Sequence, residues 1–96
     1  MLFHITHTHT WESCPAHDPE RLKTTFGKVL GSINEIGVEL VAVYVDPPAH
    51  TVFLIVDADS AEKLEELLDP VLEIGRADIR PVGDGLAVYK RRAGES

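Results

Sequence analysis

Four of the five histidines, His4, His7, His9 and His17, fall near the start of the chain, and the single cysteine, Cys14, sits among them. Imidazole and thiolate are the usual ligands of zinc and copper, and iron and nickel also accept imidazole. On an alternating strand His7 and His9 share one face, roughly 6.5–7 Å apart, so both rings can reach one ion. Cys14 and His17 form a C-x-x-H pair, a spacing that lets a tight turn offer both side chains. His7, His9, Cys14 and His17 thus make a His₃Cys set for a transition metal, with zinc or copper favoured over iron or nickel. Three ligands with an open position would suit catalysis or metal transfer better than a closed structural site. The structural alternative places His7 and His9 at the edge of the core, donating to loop carbonyls, with Cys14 a small apolar residue. A C-x-x-H pair is less specific than C-x-x-C, and the heme-attachment motif lacks its second cysteine.

The other chemical candidates are more dispersed. His4 faces away from His7 and His9, beside Thr6 and Thr8, and a histidine in a pocket is a natural acid or base near neutral pH. Its candidate companions are Tyr44, which could equally pack, and Asp78 or Arg80, which could equally pair at a subunit surface. His50 follows Pro47-Pro48 and reads as a solvated loop histidine rather than a ligand. Cys14 as a nucleophile would need a depressed pKa, which the helix start near Asp18 favours and the charges of Glu12 and Asp18 oppose, and no triad partner is evident. The acidic run Glu62, Glu65, Glu66, Asp69 and Glu73 reads as a solvated helix face, and Lys90-Arg91-Arg92 as a solvated end.

Elements that position these residues follow one another with short connections. Residues 1 to about 10 alternate as a strand, with Met1, Phe3, Ile5, His7 and His9 on one face. Asp18-Pro19-Glu20 starts a helix, along which Leu22, Phe26, Val29, Leu30, Ile33 and Ile36 form an apolar stripe ending at Gly37. Gly27 and Gly31 weaken that helix by about 1 kcal/mol each relative to Ala. Two strands, 38–46 and 51–57, flank the hairpin loop Pro47-Pro48-Ala49-His50. Asp59 and Ser60 are expected to start a second helix, with Asp59 and Glu62 at capping-box spacing. It carries Leu64, Leu67 and Leu68, is broken or restarted at Pro70, and continues its burial to Ile74. Residues 77–82 read as a fourth strand, Gly83-Asp84-Gly85 as a turn, and Leu86 to Tyr89 as a short extension strand.

The order β-α-β-β-α-β is the split βαβ, ferredoxin-like arrangement of an α+β domain, an antiparallel sheet with two helices on one face. In the middle strands Val41, Val43 and Val45 are expected to oppose Leu40, Ala42 and Tyr44, while Val52, Leu54 and Val56 oppose Phe53 and Ile55. Both faces are therefore apolar, and two helices cover one. A second copy is the simplest cover for the other. A chain of 96 residues also buries only roughly 60–65% of its unfolded surface by itself. A homodimer or higher homo-oligomer is expected.

Composition narrows the partners. A net charge of −7 and a pI near 5.0 argue against nucleic acid and against an anionic membrane surface. The longest apolar runs, 41–45 and 52–56, fall far short of the ~18 residues of a membrane span, and no basic n-region of a signal peptide is present. A cytoplasmic protein is expected, with one domain over 1–92 and a disordered tail over 93–96.

The stretches MLFH, TVFLIVDADSAEKLEELL and ADIRPV, in that order, resemble segments of muconolactone isomerase. The chain is thereby similar to the dimeric α+β barrel superfamily, in which two ferredoxin-like sheets face each other. The resemblance covers most of the chain and rests largely on fold-determining residues. It implies a dimer with an interior pocket. The polar and charged residues that line that pocket in the isomerase are replaced on this first strand by His4, Thr6 and Thr8. The loop WESCPAHDPE departs from the isomerase and is similar to that of small bacterial proteins with a His-rich first strand and a CP loop.

Three functions follow as expectations. The first is a homo-oligomeric transition-metal-binding protein with its site at the end of the first strand and the following loop. The second, implied by the resemblance, is a small-molecule isomerase or cofactor-free oxygenase using the pocket around His4 and Tyr44. The third is a non-catalytic ligand-binding or structural dimer.

Overall fold

A computed structural model describes residues 1–95. It contains one antiparallel sheet in the order β2-β3-β1-β4, formed by β1 (Leu2–His9), β2 (Glu39–Asp46), β3 (Thr51–Asp57) and β4 (Gly75–Val82). Helices α1 (Pro19–Thr24) and α2 (Phe26–Ser32) link β1 to β2, α3 (Ala61–Leu67) and α4 (Asp69–Leu72) link β3 to β4, and α5 (Gly85–Arg92) follows β4. This is the expected ferredoxin-like α+β architecture. The expected tail at 93–96 reaches Ser96, which lies outside the described residues. No described helix is long and apolar enough to cross a membrane.

Local chemistry explains where the elements depart from the sequence pattern. The helix expected from residue 18 to 36 is broken at Thr25, whose backbone is non-helical and whose Oγ1 donates to the Arg21 carbonyl at 2.8 Å. Such a bond competes with the helical pattern. Asp18 caps α1 as expected, accepting from the Arg21 amide. At α3 the cap is Ser60, which accepts from the Lys63 amide, while Asp59 pairs with the Lys63 ammonium at 3.2 Å. Pro70 restarts the chain as α4, where its missing amide costs nothing in the first turn. The extension strand expected at 86–89 is instead helical. Asp84 Oδ1 accepts from the Leu86 and Ala87 amides and nucleates α5, and Lys90, Arg91 and Arg92 sit favourably in its last turn.

The core lies between the sheet and α2, α3 and α4. Phe3, Ile5, Leu54 and Val56 from the sheet meet Val29, Ile33, Leu64, Leu67, Leu68 and Val71 from the helices. The register of β2 shifts between Leu40 and Ala42. This bulge reverses the expected alternation: Leu40 pairs with Val56 and packs against the core, on the same face as Val43, which pairs with Leu54. Beyond the bulge, edge strand β2 is poorly covered within one chain. Val43 and Val45 remain open on the helix side, and Tyr44, 69% exposed, is open on the other.

Candidate metal centre

The end of β1 is where three segments of the chain meet. Strand β1 runs antiparallel to both β3 and β4, with His9 opposite Gly75 and Thr8 opposite Thr51. Past that last pair the His9 amide donates to the His50 carbonyl at 3.1 Å, which ties the β2–β3 hairpin loop to the strand end. The loop after β1 is pinned by Ser13. Its Oγ accepts from the Thr10 amide and donates to the Ile74 carbonyl at 2.8 Å. Pro15 is fully buried beside it. These anchors bring Cys14 to the same corner.

His9, Cys14 and His50 converge there, with one ligand atom of each lying within 4.8 Å of the others. A tetrahedral ion about 2.0–2.3 Å from each donor would hold donors roughly 3.3–3.8 Å apart, so small side-chain shifts would close this set. His9 is buried, and its Nδ1 has no hydrogen-bond partner among the described residues. Its ring lies 5.5 Å from that of His7 and 5.6 Å from that of His50. Burial first, and then the two neighbouring imidazoles, hold its pKa below the usual histidine value. His9 is thus kept neutral near physiological pH, the form a metal requires.

His50 reaches the group through an unusual backbone. It is the one non-glycine among the described residues with positive φ, at 49°. Its amide donates to the Pro47 carbonyl at 3.0 Å and closes the turn. Histidine is among the residues that tolerate this region, at a cost that glycine would avoid. An observed outlier of this kind points toward function.

Of the sequence-predicted ligands, the geometry unites His9 and Cys14, with His50 added. His7 is not in the group. Its ring is fully buried, Nε2–H donates to the Val71 carbonyl at 2.8 Å, and it packs edge-on against Phe26. The bond fixes the tautomer and leaves Nδ1 buried without a described partner. Gly75 makes room for this ring: a Cβ there would overlap the Thr8 carbonyl and come within 2.8 Å of His7 Cε1. His17 is also outside the group. It is exposed, and lines the same cavity as His9, Cys14 and His50.

His4 and Tyr44 lie on the outer face of the sheet. His4 Nδ1 is 3.4 Å from Thr6 Oγ1, and its ring is 6.0 Å from that of Phe53. Tyr44 and Thr6 both pair with Phe53 from opposite sides, while Asp78 pairs with Thr6 and Arg80 with His4. Asp78 is engaged by Arg76 at 3.2 Å. On this face His4 is half-buried and Tyr44 is exposed.

His50, read from the sequence as a solvated loop histidine, is the member of the His9, Cys14 and His50 group that the sequence did not place there. The available signal was the antiparallel pairing of the first and third strands, which sets the hairpin loop beside the end of the first strand.

No curated protein matches the chain. Its fold is similar to the crystal structure of SCO4226 from Streptomyces coelicolor A3(2), with a TM-score of 0.57 and 14% identity, over 88% of this chain and 100% of that one. At that identity the likeness speaks for the fold. The resemblance to muconolactone isomerase is not confirmed by these matches. Residues 1–90 match the domain of unknown function DUF3303, and the chain belongs to that family.

Proposed function

We propose that this protein binds a transition-metal ion, zinc or copper before iron or nickel, through His9, Cys14 and His50. The observation that carries the reading is the convergence of three soft or borderline donors from three separate segments, one of them a buried imidazole whose Nδ1 has no partner among the described residues. Two imidazoles and a thiolate match the donor preference of these metals. Three protein donors leave a fourth position for an exchangeable ligand, as in catalytic rather than closed structural sites. His7 supports the site indirectly, by packing beside His9.

Elemental analysis of protein purified without a His-tag tests this. About one metal ion per chain, lost in Cys14→Ser and His50→Ala, is expected. Absence of bound metal after reconstitution under reducing conditions would sink the reading.

Self-association belongs to the same proposal. The outer sheet face carries the half-buried Phe53 and Ile55 and the exposed Tyr44, and a second copy of this face would cover them. Light scattering should return twice the chain mass, and a monomer at all accessible concentrations would count against a dimer.

A further inference from the structure

The proposed metal corner opens into a cavity of about 510 Å³ between α1, α2 and the β2–β3 hairpin. Its polar side chains are the histidines 9, 17 and 50 and Cys14. The rest of the lining is apolar, including Leu22, Phe26, Leu30, Val43, Val45 and Val52. Leu22 and Leu30 belong to the helical stripe that should be buried, yet they are 40% and 44% exposed, and Val45 across from them is 63% exposed. Apolar residues left uncovered on two facing elements, with coordinating groups gathered in one patch, are the ordinary make-up of a small-molecule site. The volume falls within the range of about 300–1,000 Å³ of such sites.

We infer that the cavity takes a small amphipathic molecule, whose apolar body lies against Leu22, Leu30, Val43 and Val45 and whose single donor head, a carboxylate, completes the coordination of a metal held by His9, Cys14 and His50. The inference rests on the metal reading above and adds its ligand class. The polarity of the lining sets the orientation, because a charged head has no partner among the valines and leucines and an apolar tail gains nothing among the imidazoles. The open coordination position supplies the head's partner, and the uncovered helix stripe supplies the tail's.

The test uses the full chain loaded with cobalt(II), whose visible absorption reports both uptake and a change of ligand. Straight-chain carboxylates from acetate to octanoate are titrated into it. Affinity is expected to rise about fourfold for each added methylene, the gain for burying one such group. That increment should shrink in a Leu22→Gln, Leu30→Gln variant, in which both substitutions fall at partly exposed helical positions. Cobalt uptake with carboxylate affinities independent of chain length would overturn the inference and leave the metal reading standing. A protein that takes up no cobalt would overturn both. A dimer by light scattering that binds cobalt and ignores every carboxylate would mean that the second copy closes the cavity, and would overturn the inference as well.

Discussion

His7 and His9 are two residues apart on the same face of the same strand, yet they belong to different regions. His7 lies in the filled part of the helix layer, where Leu64, Val71 and Ile5 are wholly buried and its own ring is locked by the Val71 carbonyl and the niche over Gly75. His9 lies at the boundary with the unfilled part, where Leu22, Leu30, Val43 and Val45 stay exposed. Both rings keep an Nδ1 without a partner among the described residues, but His7 is held by packing and by the Val71 carbonyl, whereas His9 alone lies beside two further donors. The difference comes from sheet order. β2 is an edge strand, and the helix layer reaches its neighbours more fully than it reaches β2 itself. A surface that looks uniformly apolar in sequence is thus divided into a core and a cleft.

The contrast in packing can be broken most directly by truncation on each side. Leu64→Ala removes a fully buried side chain and should cost about 2–5 kcal/mol. Leu30→Ala removes one that is 44% exposed and should cost under about 1 kcal/mol, with the lost burial partly offset by alanine's helix propensity. Equal losses in urea unfolding would mean that the cleft is closed in solution.

Gly75→Ala probes the niche of His7. The new Cβ would meet the Thr8 backbone as well as the ring, so neither partner can simply swing away. A loss of about 1–3 kcal/mol is expected. A Gly75→Ala protein as stable as the parent would show that β4 can slide away from His7, and the distinction between a locked and a free imidazole would weaken.

His50→Gly separates folding from metal binding. Glycine relieves the positive-φ strain, worth about 1–3 kcal/mol, and returns about 0.4–1 kcal/mol as unfolded-state entropy. The metal-free variant should therefore gain stability, by up to about 2.5 kcal/mol, while losing stoichiometric metal. A residue retained for packing alone would show the reverse, with lower stability and no change in metal content.

The helical and strand segments were legible because their periodicity and caps are local. Asp18-Pro19, the 47–50 hairpin and the leucine stripe of α3 declare themselves within a few residues. The errors were local competitions that pattern alone does not resolve: Thr25 bonding backward, the bulge at residue 41, and Asp84 nucleating a helix where 86–89 read as strand. The site was half legible. His9 and Cys14 are near each other in sequence, whereas His50 joins them through the register between β1 and β3. His7 dropped out because its partner, the Val71 carbonyl, lies on an element 64 residues away. Residue type suggested the candidate donors, and long-range pairing decided which of them come together.

The smallest expected effect concerns protonation of His9 in the metal-free protein. Its pKa is depressed by burial and by His7 and His50, so the unfolded chain, with an ordinary value near 6.5, binds the proton more readily than the folded one. Stability then rises with pH wherever the unfolded state carries more protons. The contribution is complete above about pH 6.5 and is lost as pH falls from there through the folded-state value. In His9→Gln this part of the slope should vanish even if the overall stability changes, because the slope depends on the ring and not on the packing. Unfolding free energies measured between about pH 5 and 7.5 decide the matter. An unchanged slope in the variant would place the titrating group elsewhere and remove the electrostatic argument that keeps His9 neutral.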